Sequence, residues 1–211
     1  TLNLGEYAEE ATIIVEETAK PKRVNHFIEA NTQEVTLQHL KQDCIIPVFA
    51  KDNELTISHT DFIETVWDAS NSFFRGEIID KPEIRVSHIV KGRRPEFLNV
   101  PAKDLLPSQR TMYYERMAFS YEVPSIYETV GGNRINLCIT GVRAYNRENL
   151  FSKKTASKFS VAIGFRNTVC CNLCTFTDGY KSTIEAMSTS ELYAKVLELF
   201  HTFNPALHIH L

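Results

Sequence analysis

RTMYYERMAFSYEVPSIYETVGGNRINLCITGVRAYN (Arg110–Asn146) and, after a basic loop, KFSVAIGFRNTVCCNLCTFTDGYK (Lys158–Lys181) decide the fold. In the first stretch Met117, Phe119, Tyr121 and Val123 fall on one face, with Arg116, Ser120 and Glu122 on the other. That period of two is the signature of a strand with one buried side. Gly131-Gly132 supplies a two-residue hairpin turn, because glycine takes the positive φ that both central positions need. Beyond it Ile135, Leu137 and Ile139 alternate with Asn136, Cys138 and Thr140. The phase then slips at Gly141, since Val142 and Ala144 carry the apolar rhythm, and this predicts a β-bulge there. A third strand sets Phe159, Val161, Ile163 and Phe165 against Ser160, Ala162, Gly164 and Arg166. Three antiparallel strands with one wet face follow.

Working outward, Ser58 and Asp61 have capping-box spacing ahead of Phe62, Val66, Trp67, Ser70, Phe73 and Phe74, which predicts a helix over 60–74 stopped near Gly76. Ser188 and Glu191 repeat the spacing before Leu192, Val196, Leu199, Phe200 and Phe203, which predicts an amphipathic helix over 188–203. PEIRVSHIV (82–90) reads as a strand with Ile84, Val86 and His88 on one side. The three prolines of KGRRPEFLNVPAKDLLPS (91–108) indicate a surface connection. CIIPVFA, KDNE and LTIS (44–58) read as a hairpin. Residues 1–20 carry five glutamates against one lysine and form either a surface helix ended by Pro21 or a flexible arm. A short helix is expected near Val35–Lys41. The expected architecture is α+β: an antiparallel sheet of about five or six strands, with both main helices packed on one face. Residues 1–43 would form a partly helical N-terminal arm and 44–211 a single domain. A start at Thr1 and an end at NPALHIHL suggest the N-terminal part of a longer protein.

The 211 residues are 43% hydrophobic and 23% charged, enough for a sizeable core. A net charge of −3 means that nucleic-acid binding would need a local basic patch. No apolar run is long enough to cross a bilayer, so no membrane partner is expected and the cytoplasm is the expected location. The cysteine number is five, an odd count without a secretion signal, which points to reduced thiols.

The chemistry-bearing features are few. From Arg143 to Arg166 there are six basic residues and one acid, Glu148, with Tyr145, Phe151 and Phe159 interleaved. Cations attract phosphates and aromatic faces stack on unpaired bases. Arg143, Tyr145, Arg147, Lys153, Lys154 and Arg166 are therefore the candidate residues for single-stranded nucleic acid, against the plainer reading of a solubilising loop. Lys91, Arg93, Arg94, Arg110 and Arg116 either extend that surface or are simply solvated. Cys171-x-x-Cys174 with His208 and His210 would make a Cys₂His₂ zinc site chemically conceivable, but the spacing fits no finger, and small buried hydrophobes are the commoner role of cysteine. No metal and no cofactor are therefore expected. No nucleophile elbow, zinc-protease helix, P-loop or dinucleotide fingerprint is present, so a non-catalytic role is expected. A protein-interaction module or homo-oligomeric structural module is the alternative, with a zinc-stabilised domain or metal-dependent enzyme behind it.

YYERMAFSYEVPSIYETVGGN (113–133), GVRAYNRENLFSKK (141–154) and IGFRNTVCCNLCTFTDGYK (163–181) together resemble an uncharacterised family of Bacteroidetes. The resemblance covers roughly residues 45–211. Its genes lie on conjugative elements, plasmids and prophages. It looks like a branch of a broader plasmid- and phage-borne family of unknown function. The late motif of that broader family, an Arg, Val-Cys and Asn run, is carried here by Arg166, Val169, Cys170 and Asn172. Where the broader motif has glycine after the asparagine, this chain has Leu173. The resemblance implies a mobile-element setting and a chain that continues further, and it implies no activity. The order helix, hairpin plus strand, helix is broadly similar to single-strand annealing proteins, an analogy of fold alone.

Overall fold

A computed structural model describes residues 27–44, 57–148, 156–170 and 172–203. In chain order the elements are β1 (Ile28–Glu29), β2 (Gln33–Val35), α1 (Leu37–Gln42), α2 (His59–Phe73), β3 (Glu83–Arg93), β4 (Arg110–Val130), β5 (Asn133–Ala144), β6 (Ser157–Gly164), β7 (Asn167–Cys170), β8 (Thr175–Thr177), β9 (Tyr180–Ala186) and α3 (Thr189–Thr202). The fold is α+β. A six-stranded antiparallel sheet runs β2-β3-β4-β5-β6-β9, and a small sheet runs β1-β7-β8.

Both predicted helices form where their caps indicate. Ser58 Oγ accepts the Asp61 amide at 2.9 Å and the Asp61 carboxylate accepts the Ser58 amide at 2.8 Å. At α3 Ser188 Oγ accepts the Glu191 amide, while the Glu191 carboxylate takes the Met187 amide instead of that of Ser188. Lys195 and that amide together hold the Glu191 carboxyl below its ordinary range. The apolar faces of α2 and α3 meet the sheet in one core, where Phe62, Ile63, Val66, Val196 and Phe200 pack on Phe119, Ile139, Phe159 and Val161. The Phe62 ring stands 5.2 Å from Phe119 and 4.6 Å from Phe159. Gly131 and Gly132 take φ of 57° and 80° and close the β4–β5 hairpin as the turn chemistry requires.

The expected bulge at Gly141 is absent. Ala118–Val142, Phe119–Gly141 and Ser120–Thr140 keep one register through it. Gly141 is instead a close approach: a Cβ there would lie 2.3 Å from the Phe119 ring and 2.9 Å from Phe62. The phase of the strand never slips. Val142 and Ala144 simply face the other way, where Ile28, Ala118, Val169 and Leu173 bury them in a second, smaller cluster. The face expected to be wet is thus partly covered by the small sheet. The real register shift lies between Val123 and Tyr127. Pro124 falls there, and a proline has no amide to give to the ladder.

Other segments differ in detail. The alternation of β3 ends at His88, which is exposed and takes φ 59°. Each proline of the 94–109 connection begins or precedes a short 3₁₀ turn. Arg93 and Arg110, directly paired across β3 and β4, are turned onto carbonyl oxygens of that connection at Leu98, Val100 and Leu105. In the stretch expected to be an arm, β1 pairs in parallel with β7, β2 forms an edge of the large sheet, and α1 packs on α2. The 44–58 hairpin lies almost entirely outside the described residues, as does the acidic 1–20 stretch.

Candidate anion-binding site

The four sequence candidates among the described residues do not form one surface. Arg143 follows the inward phase of β5, opposite Met117, and is 1% exposed. Its Nε donates to Glu148 Oε1 at 2.9 Å, and one terminal nitrogen donates to Glu148 Oε2 and Ser157 Oγ, each at 3.2 Å. The other terminal nitrogen donates to the Ile57 carbonyl oxygen, just ahead of α2. The guanidinium also lies over the rings of Tyr145 and Phe159, at 4.4 and 4.7 Å. With four of its five N–H donors engaged, its charge matched and its side chain buried, this arginine clamps the approach to α2 and is closed to phosphate. Tyr145 is equally buried, so it cannot stack on a base from solvent. Arg147 is exposed, and its guanidinium donates to the Asn172 carbonyl. Arg166 is exposed at the β6–β7 corner, where Asp178 Oδ1 accepts the Phe165 and Arg166 amides. Lys153 and Lys154 lie outside the described residues.

A different set of cations does meet. On the outward face of the large sheet, β6 pairs with β9 so that Lys158 opposes Glu185, Ser160 opposes Thr183 and Ala162 opposes Lys181. The small sheet stands over this face. Together they enclose a hollow of about 230 Å³, lined by Arg147, Lys158, Lys181, Ser160, Thr183, Cys174 and Thr175 among others, with no carboxylate among its described lining residues. Lys158 reaches Glu185 at 3.3 Å through partly exposed atoms, a contact of little strength in water. Lys181 Nζ donates to the Thr175 carbonyl at 2.9 Å, leaving its remaining protons available. The Thr175 hydroxyl is buried and has no hydrogen-bond partner. Positive charge, hydroxyl groups and one unsatisfied donor in a concave site are what an oxyanion requires. Lys158 belonged to the basic loop in the sequence. Lys181 carried no signal until the β6–β9 register was known.

A second hollow, about 450 Å³, lies at the N-terminus of α2, against Leu40, Cys44, Tyr113, Tyr114, His59 and Tyr145. His59 Nε2 donates to the Tyr114 carbonyl at 2.8 Å, which places the proton on Nε2 and leaves Nδ1 as an acceptor. Burial, and then the Arg143 charge, push the His59 pKa down to about 3, so the ring is neutral. Among the described residues Nδ1 is buried without a partner and the proton of the Tyr145 hydroxyl finds no acceptor; the two ring centroids stand 4.3 Å apart. Burial raises the Tyr145 pKa, so the hydroxyl keeps its proton. Cys44 at the same wall is pushed up to about 11, chiefly by burial.

Among the described residues no cluster of three or more His, Cys, Asp or Glu side chains is arranged to hold a metal ion, and no helix is long and apolar enough to cross a membrane. No curated protein and no solved structure matches the chain. A family match does extend over residues 7–211: the chain belongs to DUF3871, described as a domain of unknown function, B. theta gene description.

Proposed function

We propose that this chain binds single-stranded nucleic acid without catalysis, through phosphate contacts in the outward hollow. The observation that carries the reading is the meeting of Arg147, Lys158 and Lys181 around a concave wall whose described residues include no carboxylate, with the Thr175 hydroxyl unpaired among them. In a molecule of net charge −3, a local cluster of this kind is the place where a polyanion would settle. Exposed Arg166, with Lys153 and Lys154 of the same basic loop, would extend the track. Arg143 and Tyr145 would act only as supports behind it. An accessory role on mobile elements is consistent with the sequence resemblance. The test is a filter-binding titration with a labelled oligonucleotide at several salt concentrations. Affinity should fall with salt, and Lys181→Ala or Arg147→Ala should each lessen the log–log slope by about 0.7, the value for one phosphate contact on a single strand. Absence of binding at low salt removes the reading.

A second reading rests on the α2 hollow. The acceptor on His59 and the donor on Tyr145, both buried and unpaired, favour a small neutral heterocycle that offers a donor and an acceptor on one edge. Thermal shifts with the four common nucleosides test it. A rise in Tm that is lost in Tyr145→Phe supports it, and no rise with any of them ends it.

A further inference from the structure

The chain reverses between β7 and β8 in a tight hairpin whose ends are two cysteines. The Leu173 amide donates to the Cys170 carbonyl at 2.8 Å, and the Cys170 amide donates to the Cys174 carbonyl at 3.0 Å. Leu173 takes φ 58°. A turn bond followed by one left-handed residue defines a three-residue hairpin loop, and it sets Cys170 and Cys174 across from each other. Opposed residues that share a main-chain bond typically stand ~5.5 Å apart at Cα, inside the ~4.4–6.8 Å that a disulfide spans, while their Cβ atoms, ~4.5–5.5 Å apart, must close by up to ~1 Å to reach the ~3.5–4.5 Å of the bridge. Hydrogen bonding from the amides of Cys174 and Asn172, and after them from the Cys174 thiol, lowers the Cys170 pKa. Cys170 is partly exposed and Cys174 exposed, so reagents reach both.

We propose that Cys170 and Cys174 are a redox-active dithiol, with Cys170 as the nucleophile and Cys174 as the resolving thiol, oxidised by a peroxide to an intramolecular disulfide. The Cys170 thiolate attacks one peroxide oxygen and the O–O bond breaks. Cys170 becomes a sulfenic acid, and the hydroxide released takes the proton that the thiol gave up, forming water. Cys174 sulfur then attacks the Cys170 sulfur. The S–S bond forms, the S–O bond breaks, and the departing hydroxide takes the Cys174 proton as a second water. The two sulfurs lose two electrons and the peroxide gains them. Such donors favour the thiolate, the form that attacks the peroxide. The other described thiols face the opposite way in chemistry: burial pushes Cys44 up to about 11 and Cys138 up to about 12.

The test treats the purified chain with hydrogen peroxide, blocks the remaining thiols by alkylation and reads intact mass and peptide maps. Two alkylations should be lost together, with the bridge mapped to Cys170 and Cys174, about tenfold faster than any change at Cys44 or Cys138. Cys171→Ser should retain the bridge. Cys174→Ser should stop at a sulfenic acid on residue 170 that dimedone traps, and Cys170→Ser should show neither product. Loss of the bridge in Cys171→Ser, or oxidation of Cys44 or Cys138 at an equal rate, overturns the proposal.

Discussion

The two faces of the large sheet are built on different principles. The helix side is a single aromatic core in which Phe62, Phe119, Phe159 and Phe200 are fully buried beneath α2 and α3. The outward side is a patchwork. Near β4 and β5 it is closed by small residues, Ala118, Val142 and Ala144, under the three-stranded sheet. Beside that patch it opens into a hollow ringed by cations and hydroxyls. Strand alternation places a residue on a face, but it does not say what lies over that face. Apolar Val142 and cationic Arg143 are neighbours on one strand, and each is buried by a different partner.

The largest expected effect breaks the comparison at Arg143. Glu148→Ala would leave the guanidinium buried without its counter-charge and should cost about 3–5 kcal/mol in urea unfolding. A cost under 1 kcal/mol would mean that water reaches the pair and that Arg143 belongs with the surface.

His59 sharpens the same face through pH. Its folded pKa of about 3 lies below the ordinary 6.5. The unfolded chain therefore binds the extra proton between these values. The stability from keeping His59 neutral is complete above pH 6.5 and is lost as pH falls toward 3, by up to about 1.4 kcal/mol per pH unit. His59→Gln should flatten that part of the stability–pH curve, and an unchanged slope would assign it to other groups.

Gly141→Ala follows in size. The added methyl collides with Phe119 and Phe62, and overpacking should cost about 1–3 kcal/mol. The smallest effect tests the outward face. Leu173 is buried, yet its backbone is left-handed. Leu173→Ala and Leu173→Gly lose the same packing, but only glycine relieves the backbone, so the glycine variant should be the more stable of the two by about 1 kcal/mol. An alanine variant as stable as the glycine variant would show that the hairpin relaxes.

Much of the helix-side architecture was legible. Ser58 with Asp61, and Ser188 with Glu191, marked both helix starts, and Gly131-Gly132 marked the hairpin. The candidate site was legible only at Arg147. Lys158 and Lys181 lie more than twenty positions apart in the chain and meet only because β6 pairs with β9. Arg143 and Tyr145 were chosen for charge and ring; Arg143 turned inward because β5 keeps its phase through Gly141, and Tyr145 is buried at the start of the 3₁₀ turn that follows.

By itself, then, the sequence determined the local matters: helix caps, strand phase, the two-glycine turn and the apolar faces, all of which depend on residues within a few positions of one another. Only the tertiary structure decided which strand stands beside which, that a second sheet covers the outward face, and which cations face solvent. Those outcomes depend on long-range pairing, where many registers satisfy the same alternation and only the packed whole selects one.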